Sequence, residues 1–190
     1  MSSSPTAPTP GRRGRSLPSP QPRRLQAARA LVAAWLIALP SGATAAGAPP
    51  LPGDGGLISV AVGRAGFREM RVKTQLAVSY HHRAVLPRVR PAAGVLASSG
   101  GDAFFFLGCS SDLALARRVG VTPLLSAGYY SEGDGTRLGG ALEFRSAVEL
   151  WVRVGRTARV GVCVDHLSNA GLFDDNPGRE SLTLSFASLR

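Results

Sequence analysis

The chain has 190 residues, room for one ordinary domain, and a formal net charge of +10 at pH 7. That charge is unevenly placed. Arg12, Arg13, Arg15, Arg23, Arg24 and Arg29 precede a hydrophobic run with no acid among them, and beyond Ala45 there are 16 basic residues against 12 acidic ones, a net of +4. A balance this modest argues against the nucleic-acid binding that the high pI would otherwise suggest.

In chain order, residues 1–22 are rich in Ser, Pro and Arg and read as disordered. Arg23, Arg24 and Arg29 then make a positive n-region, Ala30 to Leu39 an apolar h-region, and Pro40-Ser41-Gly42 a break before the small-x-small site Ala43-Thr44-Ala45. Residues 1–45 therefore read as a disordered start followed by a cleavable secretory signal. The h-region is too short to span a bilayer comfortably, which takes roughly 20 apolar residues; an uncleaved N-terminal anchor is the competing reading. Residues 46–56 are a short linker. Past the leader there are two cysteines, Cys109 and Cys163. They are either one disulfide, in an oxidising compartment, or two small unpaired residues. No His spacing accompanies them, so no metal site is expected.

From Leu57 onward, short alternating stretches are split by Gly, Pro, Ser and Asp, the pattern of an all-β domain over 57–190. Eight strands are expected, at about 57–65, 71–82, 88–98, 102–115, 121–131, 138–154, 157–168 and 179–188. The sixth alternates most clearly. Leu142, Phe144, Val148, Leu150, Val152 and Val154 share one face, and Glu143, Arg145, Glu149 and Arg153 share the other. Such strands exceed the usual soluble length and reach the ~9–11 residues that cross a bilayer. The expected fold is an eight-stranded antiparallel transmembrane β-barrel of the outer membrane, with hydrocarbon outside and charge inside. Glu143, Arg145, Glu149 and Arg153 are expected to pair in the interior with Lys73, Gln75 and other inward residues. Side chains fill a barrel of eight strands, so no conducting pore is expected. Phe104-Phe105-Phe106 and Tyr129-Tyr130 read as lipid-facing or interfacial aromatics.

The same parity places Val160, Val162, Val164, His166 and Ser168 of the seventh strand on the greasy face, with Glu180 beginning that face on the eighth. Nucleophilic hydrolysis needs this set: a hydroxyl, an imidazole to take its proton and a carboxylate to hold the imidazole. A polar trio at the end of an apolar stripe is costly unless it is paired and used. With both termini periplasmic, the connection after the seventh strand is extracellular and the trio lies at outer-leaflet depth. The adjacent His81-His82 point to opposite faces of a strand and cannot chelate one metal together, and Asp174-Asp175 read as a solvated loop.

The string His166-Leu167-Ser168-Asn169-Ala170-Gly171, followed by Asn176-Pro177-Gly178-Arg179-Glu180-Ser181, resembles the lipid A 3-O-deacylase family (PagL type) of Gram-negative outer membranes. The match is tight over Asp165 to Leu184 and looser back to about Leu57. The resemblance implies an outer-membrane serine esterase that hydrolyses the 3-O-linked hydroxyacyl ester of lipid A. Ser168 is then the nucleophile, His166 the base and Glu180 the orienting carboxylate. Asn169, through its side-chain amide, and Gly171, through its backbone N–H, are the oxyanion donors. It implies no cofactor, no metal and no nucleic acid; the partner is lipopolysaccharide of the outer leaflet, and a homodimer stays open. The rival readings are a non-catalytic eight-stranded barrel with a structural or adhesion role, and a soluble ligand-binding barrel with its apolar face inside. The ending Phe186-Ala187-Ser188-Leu189-Arg190 departs from the terminal aromatic common in outer-membrane barrels.

Overall fold

The computed structural model of the protein describes residues 55–66, 72–134 and 136–189. The leader expected over 1–45 and nearly all of the linker expected over 46–56 lie outside the described residues. Among the described residues there are nine strands: β1 (Leu57–Ala65), β2 (Lys73–His81), β3 (Arg90–Ser98), β4 (Ala103–Ser110), β5 (Leu113–Ala114), β6 (Val119–Ser131), β7 (Leu142–Val154), β8 (Ala158–Ser168) and β9 (Arg179–Leu189). Every pairing is antiparallel. The strands run β4-β3-β2-β1-β9-β8-β7-β6-β5, and a further β4–β6 pairing closes the sheet on itself. Closure leaves no long unpaired edge, the condition for placing a sheet in lipid.

The two-residue β5 is not a ninth stave. Leu113 pairs with Val121 in the register that already pairs Ser110 with Leu124, so β5 continues β4 along β6. The expected strand over 102–115 is thus one ladder interrupted at Ser111-Asp112. The interruption coincides with the end of the β3 pairing at Arg90–Ser110. There Asp112 accepts hydrogen bonds from Arg90, from Thr122 and from Arg159, the last at 2.8 Å. The barrel therefore has eight staves.

The predicted parity holds. On β7, Val148 and Leu150 are 51% and 53% exposed while Glu149 between them is 9% exposed. On β8 and β9 the even positions Val160, Val162, Val164, Leu182, Leu184 and Phe186 are exposed, and Arg159, Asp165, Ser181 and Thr183 are buried. On these strands the apolar even positions are thus outside and the ions inside, the inverse of a soluble barrel. This excludes the soluble ligand-binding reading.

Arg145 and Glu149 pair in the interior as expected, with inward residues other than Lys73 and Gln75. Arg145 donates to Asp165 at 3.1 Å, and Arg159 bridges Asp112 and Glu149. Ser185 also donates to Glu149. Lys73 is instead spent on the backbone carbonyl of Asp134, and Gln75 accepts from Arg179 and Ser181. Glu143 is fully buried, and neither of its carboxylate oxygens accepts a hydrogen bond. The reason is geometric. Lys73 and Gln75 lie on β2, across the barrel from β7, and nearer groups from β8 and β9 satisfy the β7 charges first. A cavity of about 50 Å³, lined among others by Ser79, His81, Thr122 and Glu149, remains inside. It has room for a few waters.

The aromatic runs also need correction. Phe105 and Tyr129 face outward, whereas Phe104, Phe106 and Tyr130 are buried in the interior. Consecutive strand residues cannot share a face. Inside, Phe106 lies beneath the Arg145 guanidinium and Tyr130 beneath that of Arg179, at 5.3 and 5.7 Å, distances suited to cation–π attraction. Cys109 turns outward on β4 and Cys163 inward on β8; both are free thiols.

Candidate active site

Ser168 and His166 occupy the last turnward positions of β8, two residues apart on its outward face. Register supplies their neighbours. His166 stands opposite Ser146 of β7 and Glu180 of β9, and Ser168 opposite Phe144 of β7. The chain returns from Ser168 to Arg179 through the connection 169–178, and antiparallel pairing then sets Glu180 beside the imidazole. His166 Nδ1 lies 3.6 Å from Glu180 Oε1, with the imidazole 39% and the carboxylate 24% exposed. Because Nδ1 faces the carboxylate, Nε2 is the nitrogen left for proton transfer. Among the described residues no hydrogen bond joins Ser168 to His166. Such contacts are commonly long before substrate binds.

The connection that follows Ser168 is held by Asn169. Its side chain is fully buried. The amide donates both protons, to the carbonyls of Leu138 at 2.6 Å and Asp175 at 2.7 Å. Its Oδ1 accepts from the backbone N–H of Gly171 at 2.9 Å, and its own N–H donates to Asn176 Oδ1 at 3.1 Å. Both donors expected for an oxyanion, the Asn169 amide and the Gly171 N–H, are therefore engaged in the loop in this structure. Asn169 here is a brace that ties the 132–141 connection to the 169–178 connection. The brace needs close backbone approach: at Gly139, with φ of +91°, a Cβ would lie 2.0 Å from the Asp175 carbonyl.

Two further contributors come from the Asn176-Pro177-Gly178 turn. Gly178, with φ of +70°, lies against the imidazole, and a Cβ there would sit 2.7 Å from His166 Cε1. Asn176 supplies the acceptor for the Asn169 N–H. The Asn-Pro-Gly string was their sole signal, and it announces a turn without saying what the turn touches. Away from the trio, His81 is buried and bonded to Ser110 Oγ at 2.7 Å through Nδ1. His82 starts the connection to β3. Asp174 and Asp175 are exposed on the 169–178 connection, beside Arg137.

Comparison with known proteins identifies the family and the fold. The model of the lipid A 3-O-deacylase (PagL) family matches residues 75–188, more than half of the chain. Among solved structures, that of the outer membrane enzyme PagL is similar at 23% identity, covering 69% of this chain and 97% of its own, with a TM-score of 0.52. A de novo designed transmembrane β-barrel matches at 14% identity over 70% of this chain and 92% of its own, TM-score 0.47. Neisserial surface protein A matches at 12% identity over 71% and 96%, TM-score 0.45. No curated protein matches the chain. The family match spans seven of the eight staves and the whole His166–Glu180 segment, and the chain belongs to the lipid A 3-O-deacylase family as an outer-membrane β-barrel enzyme.

Proposed function

We propose that the protein is a serine esterase that removes the 3-O-linked hydroxyacyl chain of lipid A through Ser168, His166 and Glu180. The observation that carries this reading is the His166–Glu180 approach of 3.6 Å on the outward wall, with Ser168 on the same face. An ester in the membrane reaches such a site without leaving the lipid phase. The four connections at the trio's end, 66–72, 99–102, 132–141 and 169–178, include the two longest of the barrel. Longer connections are extracellular in barrels of this class, which supports an outer-leaflet depth for the trio. Export by the leader, with cleavage near Ala45, belongs to the same reading.

Ser168 Oγ attacks the ester carbonyl while His166 Nε2 takes its proton. The imidazolium is stabilised by Glu180 at Nδ1. His166 then gives the proton to the departing sugar oxygen, and the C–O bond breaks to leave an acyl-serine. Water, deprotonated by His166, attacks the acyl-serine; the acyl C–O bond breaks, His166 returns the proton to Ser168 Oγ, and the 3-hydroxy fatty acid leaves. Below the trio the wall offers Val164, Val162, Leu182 and Leu184, all exposed, along which an acyl chain can lie. The oxyanion assignment to Asn169 and Gly171 carries a condition. As the tetrahedral intermediate forms, one loop bond of these donors must exchange for the oxyanion.

The test is mass spectrometry of lipid A incubated with refolded protein. Wild type is expected to release one free 3-hydroxy fatty acid per lipid and to spare the amide-linked chains. Ser168→Ala is expected to release none; release at the wild-type rate would leave a barrel with a structural role.

A further inference from the structure

The outward wall is almost free of charge. Among described strand residues whose side chains turn outward, Arg64 and Glu180 alone carry a formal charge. Glu180 belongs to the proposed triad. Arg64 is exposed at the penultimate position of β1, at the same end of the barrel, and among the described residues no hydrogen bond or ion pair joins it to another side chain. Among the described residues, the other cations at this end are differently placed: Lys73 is bound to the Asp134 carbonyl, Arg179 is buried on Asp102, and Arg137 lies on a connection.

Register puts Arg64 next to the triad. It pairs with Leu182 of β9, two residues from Glu180 on the same outward face, and Glu180 stands opposite His166. With strands ~4.8 Å apart and ~3.4 Å per residue, the Arg64 Cα lies about 10 Å around the wall from that of His166 and about 7 Å nearer the midplane. An arginine stem is long enough to lie along the wall and return its guanidinium toward the headgroups. A lone cation on a lipid-facing wall stabilises nothing by itself. Next to an esterase centre it is placed to meet an anion on the molecule whose ester is being cut.

We propose that Arg64 is a positioning residue that binds a phosphate of the lipid substrate, so that the sugar sits with its ester at Ser168. This rests on the deacylase reading. A guanidinium offers a planar pair of donors matched to two phosphate oxygens, and the phosphomonoesters of a glycolipid such as lipid A supply them at headgroup depth. Arg64 then acts on affinity and KM rather than on bond breaking.

Binding is measured with full-length Ser168→Ala protein in detergent micelles, using phosphorylated lipid A, chemically dephosphorylated lipid A and phosphatidylglycerol. The phosphorylated lipid is expected to bind about tenfold more tightly than the dephosphorylated one, the size of a charge-assisted bond. Arg64→Gln removes that preference, and Arg64→Lys restores part of it. No phosphate preference in the Arg64-containing barrel overturns the proposal without any Arg64 variant having to fold. A preference that survives Arg64→Gln, or an equal loss for both lipid A forms, overturns it too. Equal Arg64 dependence for phosphatidylglycerol marks a general anionic-lipid contact and is likewise fatal. Failure of the triad reading shows separately, as fatty acid released by Ser168→Ala.

Discussion

Gly178 lies against the imidazole of His166, so closely that a Cβ at 178 would come within 2.7 Å of Cε1. Glu180, two residues further on, approaches the same ring at Nδ1 from β9. One short segment thus clamps the imidazole, with glycine supplying clearance and glutamate supplying charge. Gly178→Ala should push the ring off its line to Ser168. Misplacement of a reacting group by about 1 Å costs on the order of 10²-fold in rate, and the positive φ of +70° adds strain for alanine. Deacylation by the refolded variant should fall by that order, with the barrel still closed by gel-shift. Full activity would show that the ring does not depend on this clearance.

Ser168→Ala and His166→Ala should each abolish ester hydrolysis and leave the barrel folded, since both side chains sit on the outer wall. The double variant should be hardly worse than either single, because nucleophile and base act as a unit. Glu180→Ala should retain more activity, as an orienting carboxylate contributes less than the groups that exchange the proton. Fatty acid release, followed by mass spectrometry, reads all four; additive losses would contradict the shared mechanism.

Asn169→Ala should do two things at once. Losing the side chain strands the carbonyls of Leu138 and Asp175 that its amide satisfies, costing about 1–3 kcal/mol where they stay shielded from water. If the amide also turns to the oxyanion, turnover falls by about 10²-fold. Urea unfolding and kcat measured on the same samples separate the effects. A stability loss with unchanged kcat would leave Asn169 as a brace only.

Leu150→Arg puts a cation on the lipid face in the middle of β7, and Val154→Arg puts one on the same face at the strand end. The first should cost roughly 2–4 kcal/mol and the second about 0–1, following depth. Folding titrations in lipid vesicles give both numbers. Equal costs would mean that the wall does not face hydrocarbon as described.

Asp112→Ala removes the carboxylate shared by Arg90 and Arg159. Arg159 keeps Glu149, but no other carboxylate pairs with Arg90 among the described residues. Deleting one partner of a buried pair costs about 3–5 kcal/mol. Asp112→Ala should therefore melt well below wild type in detergent, with little change in the rate of the surviving folded enzyme, because the cluster lies at the end of the barrel away from His166. A large loss of kcat without loss of stability would contradict that separation.

Period-two alternation is a local property, set by the direction of each Cβ, so it can be read in a single strand. That is why the outward phase of β7, β8 and β9, and with it the shared face of His166, Ser168 and Glu180, was legible in the chain alone. The specific string from His166 to Ser181 carried the family for the same reason: its residues are close in sequence. Register and closure are not local. The β4–β6 pairing closes the barrel and sends Phe104 and Phe106 inside. Arg159 reaches Asp112 from a distant strand, and Arg64 comes to lie beside Glu180 across two strands far apart in the chain. The engagement of the Asn169 amide by Leu138 and Asp175 likewise joins two connections whose approach no spacing announces. Which way a side chain points follows from its neighbours in sequence; what it meets there depends on which strands pair, and that is settled when the whole sheet curls and its edges hydrogen-bond.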